Sequence, residues 1–196
     1  PKTGETSFTA SITSGDKVAS GVSVAFDTEG FTDAYAKYKV TVAGQVIKDL
    51  TVAQLKEGVG PFTIGPNQTA RVTLEYDNPA YALKGFGKDT TVKAVTVKAE
   101  KLSTPAVTVE PSTVEAGKTV TVKGTGFAPE STVTLTLHSE PVEVGTATTD
   151  ENGDFTAEVT VPANTEAGDH TVVAESSAPV VSATAPLTVT VPPAPA

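Results

Sequence analysis

The chain has no cysteine, no methionine and no tryptophan among its 196 residues, and only 6% of them are aromatic. Without cysteine there is no disulfide framework, no zinc-thiolate site and no thiol nucleophile. Any hydrophobic core must be assembled from Val, Leu, Ile and Ala with seven Phe and four Tyr. Arginine is nearly missing too, with Arg71 the single instance, and histidine occurs twice, at His138 and His170. No run approaches the roughly 20 apolar residues that a membrane span requires, and no basic-then-apolar leader opens the chain. Abundant Thr, scarce Arg and an acidic balance favour an extracellular protein, secreted or held at the cell wall. The expectation is a fragment or mature segment of something longer, monomeric within a multidomain chain.

Charge is unevenly divided. Residues 106–196 carry two basic side chains, Lys118 and Lys123, against twelve acidic ones, whereas residues 1–105 carry twelve basic and eleven acidic. An acidic chain without a basic stripe is repelled by phosphate, which argues against nucleic acid and against docking on anionic lipid.

The informative signal is periodic. Between residues 107 and 191, short runs alternate Thr with Val: 119–122, 132–137, 155–161 and 187–191. Each is apolar on one face and wet on the other, the pattern of half-buried strands. The first half offers Phe8/Ala10/Ile12, Val22/Val24/Phe26, Tyr38/Val40/Val42, Phe62/Ile64, Ala70/Val72/Leu74/Tyr76 and Val95/Val97/Ala99 at the same period. Leu50–Glu57 allows one helical turn, and the rest should be strand and loop. The pattern predicts an all-β chain of two tandem immunoglobulin-like antiparallel β-sandwiches, residues 1–101 and 106–191, with a linker over 102–105 and a Pro-rich tail over 192–196.

Within the second half, Val107-Thr108-Val109-Glu110-Pro111-Ser112-Thr113-Val114-Glu115-Ala116-Gly117 is followed by Thr121-Val122-Lys123-Gly124-Thr125-Gly126-Phe127-Ala128-Pro129. Further on come Asp150-Glu151-Asn152-Gly153-Asp154-Phe155 and Ala167-Gly168-Asp169-His170-Thr171-Val172. Residues 106–191 thereby resemble the bacterial Ig-like repeats of actinobacterial secreted and cell-wall-anchored surface proteins. The resemblance implies a non-catalytic module without cofactor, repeated along Gram-positive adhesins and stalks or appended to secreted hydrolases. Its motif residues read as structural: Gly124 and Gly126 for a tight strand exit, Phe127 to plug the sandwich end, Asn152-Gly153 to turn a hairpin.

Candidate sites are few. Asp150, Asn152 and Asp154 alternate as calcium ligands do, but the loop lacks the glycine and the bidentate Glu of an EF-hand, so a turn is the simpler account. His138 and His170 sit at the ends of neighbouring strands in an Ig topology, and with Asp169 or Glu140 they would offer zinc or copper ligands. If 22–26, 38–42, 70–76 and 91–99 are strands B, C, F and G, the B–C and F–G loops share one apex. That apex carries Asp27, Phe31, Asp33, Tyr35, Tyr81 and Phe86, and aromatic faces beside carboxylates suit a glycan or a host or matrix protein. The competing reading folds these rings inward as a cap on a tryptophan-free core. Gly85-Phe86-Gly87-Lys88-Asp89 only superficially resembles a phosphate loop, and Pro1-Lys2-Thr3-Gly4-Glu5 echoes a sortase pentapeptide without its leading Leu. Lys17, Lys39 and Asn78 supply material for an intramolecular isopeptide bond but no motif. No Ser-His-Asp set or carboxylate pair indicates an enzyme. Expected is a stalk or ligand-presenting segment, the alternative being an accessory region of a secreted nuclease, phosphatase or glycosidase.

Overall fold

The computed structural model describes residues 5–33, 35–87 and 89–192. They form two compact units, residues 5–15 with 19–102 and residues 16–18 with 103–192, and both are all-β, two-sheet and sandwich-like. No helix among the described residues is long and apolar enough to cross a membrane.

The first unit is built from β1 (Ser7–Thr13), β2 (Val18–Glu29), β3 (Tyr38–Val42), β4 (Gln45–Leu50), β5 (Val59–Ile64), β6 (Thr69–Tyr76), β7 (Thr91–Lys98) and β8 (Lys101–Ser103), with helices α1 (Val52–Glu57) and α2 (Pro79–Lys84). One sheet runs β1-β6-β3-β4 and the other β5-β2-β7, with β8 also on β2. Period-two patterning sets the layers. Val22, Val24 and Phe26 of β2 turn inward to share one buried cluster with Tyr38, Val40 and Val42 of β3 and Val72 and Leu74 of β6.

Four features depart from the sequence reading. β4 was not anticipated, because its hairpin turn is Ala43-Gly44 rather than Asn-Gly. Both residues take positive φ (50° and 80°) and Val42 pairs Gln45, which is the geometry of a two-residue type I′ turn. α2 is also unanticipated, although α1 falls where one helical turn was allowed, held by a Thr51/Gln54 capping box. β7 pairs β2, through Val24↔Val97 and Phe26↔Val95, instead of β6. The place beside β6 is taken by β1, in register from Phe8↔Leu74 to Ile12↔Ala70. Finally, Leu102 and Ser103 of the expected linker belong to a strand, Lys101–Ser103, that pairs β2.

The second unit comprises β9 (Ala106–Glu110), β10 (Thr113–Glu115), β11 (Thr119–Thr125), β12 (Thr132–His138), β13 (Val142–Thr148), β14 (Phe155–Thr160), β15 (Gly168–Ser177) and β16 (Val180–Thr190). Its sheets run β14-β11-β9 and β10-β16-β15-β12-β13. β10 is parallel to β16, whereas β9 is antiparallel to β11. Val120, Val122, Val133, Leu135, Val172 and Leu187 fill the space between the sheets. Phe127 is buried at one end, its ring edge-on to Phe155 at 5.4 Å.

Asn152-Gly153 does turn the chain, but the expected hairpin is not formed, because β13 and β14 belong to different sheets. The turn carries the chain across the core instead. Gly153 has φ +80°, and a Cβ there would lie 2.0 Å from the Phe127 carbonyl oxygen, so only glycine fits the crossing. A second lock sits beside it. The buried Thr149 hydroxyl accepts from Ser131 N at 2.8 Å and donates to the Ala128 carbonyl at 2.6 Å, which the Ser131 hydroxyl also reaches at 2.7 Å.

Candidate functional site: an aromatic apex on the first unit

The β2–β3 and β6–β7 connections do converge at one apex, with α2 inside the second. Asn78 holds the N-cap position without a side-chain capping bond, Pro79 occupies the first turn and Gly85 ends the helix. An Asn-Pro start, a run of good helix formers and a closing Gly are readable helix signals that the loop assignment overlooked. Asn78 also bridges the two connections, its Oδ1 accepting from Lys37 N and its Nδ2 donating to the Tyr35 carbonyl at 3.2 Å.

Five rings pack together here. Phe31 meets Tyr38 and Phe86 at 5.7 Å, Tyr38 lies stacked on Tyr76 at 5.1 Å, and Tyr76 contacts Tyr81 at 5.4 Å and Phe86 at 5.0 Å. Centroid spacings of this size mean that the rings fill one another's space, each pair contributing about 0.5–1.5 kcal/mol beyond burial. Phe31 and Phe86 are therefore core, capping the sandwich where a tryptophan would otherwise serve. Both still line the apical cleft from below, with Tyr38 and Tyr76. Tyr38 and Tyr76 join them unannounced, since their place in strands marked them only as inward residues.

What remains for ligand is a cleft of about 370 Å³ rimmed by Thr32, Asp33, Tyr81, Gly87 and Thr90. Tyr81 Oη donates to Asp33 Oδ2, and Asp33 Oδ1 accepts from Tyr35 N at 2.9 Å. This hydrogen bond to a carboxylate raises the Tyr81 phenol above its ordinary value. Burial does the same for Tyr38, well beyond the usual phenol range with Tyr76 adding to it, and for Tyr76. All three stay protonated donors at neutral pH. Tyr35 stands out at 83% exposed, and Leu83 on α2 at 89%. Asp27 belongs to β2, opposite Ala94 and outside the cleft lining.

The other candidates separate or are consumed. β12 and β15 are neighbours as expected, but Leu137 pairs Val172 on the core face, so His138, one step on and opposite Thr171, points to the other face. His170 lies two residues before Val172, on the core side opposite Leu187. The two imidazoles cannot share an ion. The Asp150 carboxylate accepts from Asn152 N at 2.9 Å and Asp154 N at 3.0 Å, closing the turn, so 150–154 is spent on backbone. Among the described residues there is no group of three or more His, Cys, Asp or Glu placed to hold a metal. Lys17 is exposed, and Lys39 lies half-exposed 4.0 Å from Glu75, so neither supplies the buried lysine of an isopeptide bond. Gly85 of the phosphate-loop-like run is a helix cap. Lys88, residues 1–4 of the sortase-like pentapeptide and residues 193–196 of the tail lie outside the described residues.

The chain matches no protein-family model and no curated protein. Among solved structures it is similar to a β-glucuronidase of Faecalibacterium prausnitzii at 14% identity, with a TM-score of 0.31, covering 93% of this chain and 36% of that one. A putative β-galactosidase of Bacteroides fragilis gives 15% identity and a TM-score of 0.27, covering 96% and 34%. A β-D-glucuronidase of Dictyoglomus thermophilum gives 11% and 0.24, covering 94% and 36%. The chain thus spans about a third of the length of these proteins, and likenesses at such scores carry no functional argument.

Proposed function

We propose that this chain is a non-catalytic, two-module segment of an exported Gram-positive surface protein, a stalk that presents a ligand-binding apex on its first unit. The second unit supports an immunoglobulin-like assignment. With β9, β11 and β14 as strands A, B and E, and β12, β13, β15 and β16 as C, C′, F and G, its sheets follow the A-B-E and G-F-C-C′ orders. The Ig-like repeat resemblance of residues 106–191 points the same way. The first unit is a sandwich variant in which the last long strand joins β2.

The observation that carries the binding reading is Tyr35, 83% exposed, whose backbone N–H bonds the same Asp33 carboxylate that Tyr81 holds at the cleft. An exposed ring beside a fixed carboxylate and a protonated phenol suits a glycan or a surface of a host or matrix protein. Glycan and matrix-protein arrays probed with the parent chain, Tyr35→Ala and Tyr81→Ala test it. Parent binding that Tyr35→Ala loses supports the apex. Equal binding by all three removes it, and no binding by the parent leaves only the stalk.

A further inference from the structure

The second unit holds a cleft of its own, about 270 Å³ at the end where the β12–β13 turn and the β14–β15 crossover diverge. Leu137, Val142 and Pro162 supply its apolar surface, and Ser139, Glu140, Asn164, Thr165, Glu166 and His170 its polar surface. The imidazole is fixed from both sides. His170 Nε2 donates to the Glu166 carbonyl at 2.7 Å, since a carbonyl only accepts, and Nδ1 lies 3.0 Å from the Ser139 hydroxyl. Glu140 and Glu166 form no ion pair among the described residues, and no Lys or Arg lines the cleft.

The cleft therefore sets two carboxylates and no Lys or Arg beside apolar surface, in a half-chain with two basic and twelve acidic residues. The group that complements it carries positive charge on a hydrocarbon stem. Lysine does both, with an ammonium of three N–H donors and four methylenes that bury along apolar surface. We propose that this cleft receives a lysine side chain presented by a partner polypeptide, its methylenes on Leu137, Val142 and Pro162 and its ammonium between Glu140 and Glu166. The contact is independent of the apical cleft and would give the second unit a binding role beside its structural one.

The test is an NMR titration of the whole chain with Nα-acetyl-lysine-N-methylamide, set against the norleucine analogue, which keeps the stem and lacks the ammonium. The lysine compound is expected to shift the His170 ring and the Ser139 and Val142 amides saturably, and the norleucine compound to bind at least about tenfold more weakly. Glu140→Gln/Glu166→Gln, at two exposed positions, should weaken the lysine compound by about tenfold, while Glu158→Gln/Glu175→Gln elsewhere on the same unit leaves it unchanged. The proposal is overturned if norleucine binds equally, if cleft resonances do not move, or if the two double variants weaken binding alike, which would reduce the effect to general charge attraction.

Discussion

Tyr81 of helix α2 donates its phenolic proton to Asp33 in the β2–β3 connection, tying together two segments 48 residues apart in sequence. The bond sits at the mouth of the apical cleft and decides its chemistry: one anionic acceptor, one neutral donor, and a backbone held so that Tyr35 projects. Removing the charge from Asp33 should release the phenol. In Asp33→Asn, the Tyr81 titration followed by NMR is expected to move down toward the ordinary phenol value, and an unchanged titration would show that the bond does not hold in solution.

Alkaline stability follows from the buried rings. Tyr38 titrates far above its ordinary value of 10.0, chiefly because burial penalises the phenolate. The folded chain thus keeps a proton that the unfolded chain loses above pH 10. Stability is full below that pH and falls as pH rises past it, by at most about 1.4 kcal/mol per pH unit for this one group. Thermal melts between pH 8 and 11.5 should show the decline, and Tyr38→Phe should flatten it.

Thr28 is an internal liability. Its side chain is 8% exposed, and its hydroxyl has no hydrogen-bond partner among the described residues. Replacing an orphaned hydroxyl by a methyl of the same shape is neutral or favourable. Thr28→Val is expected to leave stability unchanged or raise it by about 1 kcal/mol in urea unfolding, against the usual sign for a core substitution.

Gly124 should be intolerant. A Cβ at this position would lie 2.0 Å from the Phe155 ring, and the ring is itself pinned against Phe127. Gly124→Ala is expected to destabilise the second unit by about 1–3 kcal/mol, the usual cost of overpacking. Far-UV dichroism in a denaturant series checks it.

Much of this architecture was legible because burial on one sheet face writes itself into sequence at period two. Val22, Val24 and Phe26, or Val133 and Leu135, could be placed before any coordinates. Failures cluster where local chemistry is degenerate. Ala43-Gly44 adopts a turn usually marked by Asn-Gly, and α2 was hidden in a loop although Asn78 and Pro79 announced it. Which sheet receives β7 depends on competition with β1 for the flank of β6, a long-range choice that no local pattern records. At the apex, the six residues were correctly brought near one another apart from Asp27. The direction of each ring depended on its neighbours, so Phe31 and Phe86 went to the core and Tyr35 to solvent. The histidines failed for a one-residue reason, since adjacent register positions face opposite sides of a sheet.

The central claim is that the two β units resist load separately while one of them carries the binding apex. Pulling single molecules by their two ends tests it most directly. The account predicts two unfolding events, each releasing roughly 30 nm of chain, as about 90 extended residues would. A single event releasing the full length would contradict it, as would extension without resolvable resistance.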